Sequence, residues 1–62
     1  MTALREGDVV VIGAFDDVPE HLFRVDSVES DCVTGFALTG PLAGSYGEPP
    51  IEMILRVHHS ER

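Results

Sequence analysis

The residues best suited to chemistry lie in the stretch 14-AFDDVPEH-21, which carries three carboxylates and one imidazole. Asp16, Asp17, Glu20 and His21 are the kinds of ligand that suit zinc or manganese. Their spacing matches no known metal signature, and a calcium loop needs more oxygen ligands in a fixed order. The sequence therefore favours a solvated acidic loop with no metal and no cofactor. A metal-responsive small regulator is the alternative.

Cys32 is the single cysteine of the chain, and it excludes an internal disulfide framework. His21 or His58 could serve it as a base, but nothing in the sequence context brings either imidazole to the thiol. A pocket of about 300 Å³ or more is also hard to build in a domain this small. We therefore expect a buried free thiol, no catalytic residues and no enzymatic activity.

The stretch 39-TGPLAGSYGEPP-50 combines three glycines, three prolines and the only tyrosine. A phosphate-binding loop would need a lysine, and the chain contains none. The stretch is therefore predicted to be a long connection between strands, of a length that is often functional or mobile. Tyr46 is an aromatic residue with a polar tip, of the type enriched at interfaces, which indicates contact with a partner.

Short apolar segments separated by turn residues must position these groups. The run 9-VVVI-12 favours a strand, and 22-LFRVDSV-28 alternates with Phe23 and Val25 on one face. The intervening 29-ESD-31 predicts a hairpin into 32-CVTGFALTG-40. That third segment has Cys32, Thr34, Phe36 and Leu38 on one face, and the small residues Val33, Gly35 and Ala37 on the other. Gly35 predicts a bulge or a sharp bend.

The segment 51-IEMILRVH-58 fits two patterns. A strand with period two would have one face formed by Ile51, Met53, Leu55 and Val57. A helix would have one face formed by Ile51, Ile54, Leu55 and His58. We favour the strand and leave a helix as the alternative. The strand would place Ile54 on the solvent side, where a homodimer could cover it.

Charge and length limit the function classes. The chain has 62 residues and a net charge of −7, with eleven acidic residues against four arginines that form no cluster in sequence. Nucleic acid and anionic membrane surfaces are disfavoured partners, because both repel acid and attract clustered basic residues. No apolar run is long enough for a signal peptide or a membrane span. We expect a single domain over residues 1–62 in the cytoplasm.

The stretch 5-REGDVVVIGAFDDVPEHLFRVDSV-28 resembles the opening of SH3-like barrels, in particular the KOW-type pattern. Gly7-Asp8, Val9, Val11, Gly13, Phe15 and Val25 carry the resemblance. It implies a small barrel. KOW modules are typically basic and contact RNA, whereas other SH3-like barrels are small subunits or docking modules in larger protein complexes.

Together these observations predict a mostly-β, SH3-like barrel of about four to five antiparallel strands. The predicted function is a non-enzymatic protein-interaction module or a small accessory subunit, and a KOW-like nucleic-acid-associated module is the alternative. In an SH3-like barrel the loop 14–21 would flank the usual binding groove, so the resemblance implies a partner surface that is an acidic and aromatic face formed by the loops 14–21 and 40–50. Its residues are Phe15, Asp16, Asp17 and Tyr46.

Overall fold

The computed structural model describes residues 4–59, without the side chain of His59, and within them the chain is a five-stranded antiparallel sheet. The strand order is β4-β3-β2-β1-β5, so the first and last strands are neighbours. A single 3₁₀ turn, Ile51–Met53, precedes β5. The strands are β1 (Val9–Ile12), β2 (His21–Val28), β3 (Val33–Ala37), β4 (Tyr46–Gly47) and β5 (Ile54–His59).

The central strands form the core, and their alternation follows the sequence. Phe23 and Val25 of β2 are buried, whereas Arg24 and Asp26 between and after them are exposed. The small face of β3 also points inward, because Val33 and Ala37 are at most 4% exposed. Both face assignments made from the sequence are confirmed. The buried cluster consists of Val10, Ile12, Phe23, Val25, Val33 and Ala37.

The predicted hairpin between β2 and β3 is confirmed, with the Glu29 amide donating to the Cys32 carbonyl at 2.8 Å. The bulge expected near Gly35 is present on the facing strand. The register shifts between Val25 and Ser27, so that Asp26 is the extra residue. Gly35 approaches β2 so closely that an added Cβ would lie 1.9 Å from the Arg24 carbonyl oxygen. Only glycine fits there.

β5 is the strand favoured for the C-terminal segment, but it begins later and faces differently than expected. Two register shifts against β1 leave Leu55 and His58 as extra residues. As a result Ile54 and Val57, three positions apart, both pack against the core. The expectation that Ile54 faces solvent, which suggested the dimer, is wrong. Leu55 is the apolar residue that is exposed, at 54%.

The predicted loop 40–50 contains β4, which was not expected. Backbone pairing with β3 extends beyond β4, because the Val33 amide donates to the Pro49 carbonyl and the Ile51 amide to the Asp31 carbonyl, each at 3.1 Å. The sheet nevertheless stays open, since in the described residues β4 pairs with β3 alone and β5 with β1 alone. A closed barrel is therefore not formed, and the antiparallel, mostly-β part of the prediction is confirmed.

None of the helical structure within residues 4–59 is long and apolar enough to cross a membrane.

Candidate functional site: an apolar groove at the open side of the sheet

An apolar groove of about 450 Å³ lies where the sheet remains open. It is bordered by β4 on one side and by the end of β1 and the 3₁₀ turn on the other. A pocket of this size was not expected in a domain this small, and that expectation is wrong. The groove is lined by Ile12, Phe15, His21, Phe23, Ala37, Leu42, Ser45, Tyr46, Gly47, Glu48, Pro49, Pro50 and Met53.

The groove floor belongs to the core. Ile12, Phe23 and Ala37 come from β1, β2 and β3, and each is at most 4% exposed. Their burial in the sheet fixes the shape of the floor, because densely packed side chains cannot shift independently. A ligand in the groove would therefore meet a preformed apolar surface.

One wall is the turn that carries Phe15. The Phe15 and Val18 backbones exchange two hydrogen bonds, of 2.9 and 2.7 Å, and enclose Asp16 and Asp17 as a two-residue turn. Asp16 has a φ of 48°, a conformation that aspartate tolerates better than most residues. The tight turn holds Phe15 39% exposed at the groove. The ring centroids of Phe15 and His21 are 6.4 Å apart.

The opposite wall is the segment between β3 and the 3₁₀ turn. The Gly44 amide donates to the Ala37 carbonyl at 2.8 Å, and the Ala37 amide donates to the Ser45 carbonyl at 3.1 Å. These bonds fold the chain back on itself, and Gly40 and Gly44 supply the positive φ angles that the turn needs. Leu42, at the turn, is left 38% exposed over the groove.

His21 is the imidazole in the groove lining and is only 6% exposed. Its Nδ1 lies 2.9 Å from the Pro19 carbonyl oxygen. A carbonyl can only accept, so Nδ1 carries the proton and donates. In the neutral ring, Nε2 is then an acceptor. His21 was expected in a loop, but it is the first residue of β2.

Tyr46 borders the groove, but its ring belongs to the outer face of the sheet. Tyr46 pairs directly with Phe36, so the two side chains project to the same face, opposite the core. Their rings meet edge to face with centroids 5.7 Å apart. The hydroxyl donates to Glu48 Oε2 at 2.9 Å, and this bond is the main cause that raises the pKa of the phenol.

The four residues predicted as a partner surface fall into two groups. Phe15 and Tyr46 both border the groove, whereas Asp16 and Asp17 are exposed at the tip of the neighbouring turn and are not part of the lining. The structure adds Leu42, Glu48 and Met53, which sequence reasoning missed. Leu42 and Glu48 lie in the glycine- and proline-rich stretch that the sequence did single out.

Comparison with protein families, with curated proteins and with solved structures found no match to this chain. We therefore infer function from the geometry of the groove and of the strands that border it.

The other candidate groups are not assembled into a reactive site in the described part of the chain. Residues 4–59 contain no group of three or more His, Cys, Asp or Glu side chains placed to hold a metal ion. Desolvation, followed by the charges of Asp31, Glu48 and Glu29, raises the pKa of the Cys32 thiol. A raised pKa disfavours the thiolate, which is the reactive form.

Two of the four arginines share the outer face of the sheet. Arg24 pairs with Val9 and Arg56 pairs with Val11. Val9 and Val11 are two positions apart on β1 and share a face, so their two arginine partners lie on that face as well. Arg24 is 3.6 Å from Asp26, so part of its charge is compensated on the surface. Arg62 lies outside the described residues. Arg24 and Arg56 are absent from the groove lining.

Proposed function

We propose that this protein is a non-enzymatic protein-interaction module or small accessory subunit, with an open SH3-like barrel as its fold, and that the apolar groove receives a segment of the partner. The single observation that carries the proposal is a preformed apolar groove of about 450 Å³ in a chain of 62 residues. Concave apolar surfaces with few polar groups are typical of binding sites. The fold proposal is supported by the neighbouring first and last strands.

Charge supports a protein partner over a nucleic acid. The chain carries −7, and Glu48 is the charged side chain among the lining residues. Phosphate backbones require clustered basic side chains, and the groove supplies none. A KOW-like nucleic-acid-associated module is the second candidate, because Arg24 and Arg56 share the outer face with the aromatic pair Phe36 and Tyr46.

The test is affinity capture from native extract with and without nuclease, using the wild-type chain and two leucine variants. Leu42 and Leu38 are both exposed, at 38% and 43%, but only Leu42 lines the groove. We expect Leu42→Ala to lose a defined protein partner that survives nuclease, and Leu38→Ala to retain it. The two variants remove the same atoms, so the comparison isolates position.

Equal retention by both leucine variants would contradict binding in the groove. Partners that disappear with nuclease, and that also depend on Arg24 and Arg56, would instead support the nucleic-acid candidate. Thermal unfolding of each variant serves as the control for folding, since substitutions at exposed positions change stability by about 0.5 kcal/mol or less.

A further inference from the structure

The backbone of β4 has one side paired and one side free. β4 lies at the end of the sheet, and within residues 4–59 no strand occupies its outer side. An exposed strand edge presents unpaired N–H and C=O groups that can pair with another chain. This edge borders the apolar groove, because Tyr46, Gly47 and Glu48 are all lining residues.

The pairing pattern identifies which backbone groups point to the free side. Ser45 and Pro49 accept bonds from Ala37 and Val33 of β3, each at 3.1 Å. Residues in an antiparallel pair alternate between bonding inward and pointing outward. Gly47, opposite Gly35, therefore bonds toward β3, whereas the N–H and C=O groups of Tyr46 and Glu48 point outward. Two donors and two acceptors thus stand in a row beside the groove.

We infer that an extended segment of the protein partner adds to the outer side of β4 as a further strand. Its backbone pairs with Tyr46 and Glu48, and alternate side chains enter the groove. A strand added here would lie about 4.8 Å from β4, beside the groove that Tyr46, Gly47 and Glu48 border. This inference depends on the proposed function and specifies how the partner is held.

Charge defines the chemistry of that segment. Glu48 lines the groove, and four further exposed carboxylates lie within two residues of a lining residue in sequence. They are Asp16, Asp17, Glu20 and Glu52. In the described residues, no arginine lines the groove. The occupant is therefore a peptide that alternates apolar residues with others and carries Arg or Lys. The apolar side chains of the peptide fill the groove, and its basic side chains contact the carboxylates just named.

The short length of the edge explains why it favours a brief peptide over a second copy of the same chain. Pro49 and Pro50 come one residue after the end of β4, and proline offers no N–H for pairing. At the N-terminal end of β4, the turn around Gly44 ends the strand edge. Short edges flanked by proline limit open-ended pairing between copies, and the shared charge of −7 opposes it as well.

The experiment uses short random peptides displayed as a library and selected against the full chain. An enriched peptide is then titrated against the wild type, Glu48→Gln and Glu48→Pro. Both variants remove the carboxylate, but only Glu48→Pro removes an N–H that points away from β3. We expect Glu48→Gln to weaken binding about twofold and Glu48→Pro about tenfold or more, because a buried peptide carbonyl then loses its donor.

Equal affinities for Glu48→Gln and Glu48→Pro, with binding still weakened by Leu42→Ala, would overturn strand addition and leave the groove proposal standing. Failure to enrich any peptide, or enriched peptides indifferent to Leu42→Ala, would overturn both. Amide hydrogen exchange on the wild type gives a readout that does not depend on Glu48→Pro folding. The peptide should protect the Tyr46 and Glu48 amides, and unchanged exchange there would contradict the inference.

Discussion

The three central strands and the segment 38–50 use their side chains in opposite ways. In β1, β2 and β3 the core residues are almost completely buried, from Val10 at 0% to Ala37 at 4%. In the segment 38–50 every residue except Gly47 and Pro49 is exposed, although the segment contains Leu38, Leu42 and Tyr46. One region conceals its apolar surface and the other presents it.

The difference separates stability from binding within one small sheet. Burial of apolar area is the main stabilising contribution to folding, so the central strands carry the stability. Exposed apolar groups in the segment 38–50 contribute less to folding and remain available to a partner. Substitutions in the central strands should therefore lower stability, whereas substitutions in the segment 38–50 should lower binding of the partner.

The largest expected effect tests the central region with a pair of glycines. Gly35→Ala should destabilise the chain by about 3 kcal/mol, since its Cβ would lie 1.9 Å from the Arg24 carbonyl and the bulge would have to open. Gly44→Ala, at φ 86° with nothing within 4 Å of its Cβ, should cost about 1 kcal/mol of backbone strain. Urea denaturation measures both, and equal losses would contradict the close approach to Arg24 as the constraint at Gly35.

The sequence predicted the central region well because its patterns are local. Phe23 and Val25 alternate with charged residues without interruption, and the turn 29–31 is short and polar. Gly35 also signalled a bulge, which the structure has on the facing strand. β5 was harder, because the extra residues Leu55 and His58 change the phase of the strand and neither leaves a mark in the sequence. The period-two pattern therefore assigned Ile54 to the wrong face.

The segment 38–50 and the groove were less predictable because they depend on distant pairing. Tyr46–Gly47 is too short and too rich in neighbouring glycine and proline to indicate a strand, and it forms one because β3 offers its edge. Tyr46 was identified from its residue type, and Phe15 from the place that its loop would have in an SH3-like barrel. Leu42 and Met53 join them only when the open sheet brings the two walls together.

A second prediction tests the exposed region. Tyr46→Ala should weaken capture of the partner by at least about fivefold, as exposed aromatic residues at binding sites often do. It should lower the free energy of unfolding by about 1 kcal/mol at most, the value of its edge-to-face contact with Phe36. Tyr46→Phe is the control that keeps the ring and removes the hydroxyl. Unchanged capture by Tyr46→Ala would exclude the Tyr46 ring from the partner surface and leave Leu42 as the test of the segment 40–50.

The smallest expected effect concerns the hydrogen bond between Tyr46 and Glu48 at the edge of the groove. This bond is the largest cause raising the pKa of Tyr46, and desolvation adds to it. The chain has one tyrosine and no tryptophan, so the ultraviolet absorbance of phenolate reports this residue alone. In the folded chain the phenol should ionise at higher pH than in urea, where the pKa should be near its ordinary value of about 10.

Because the folded pKa is raised, the stabilising contribution of this bond is fully present below the unfolded pKa and is lost as the pH rises through the folded one. Glu48→Ala should move the folded titration back toward that of the unfolded chain. Glu52→Ala removes another exposed carboxylate, which does not bond to the phenol, and should leave the titration in place. If both variants shift it equally, the cause is the general negative charge of the chain. A shift in Glu48→Ala alone assigns the bond to the groove edge, where a basic residue of the partner would compete with the phenol for Glu48.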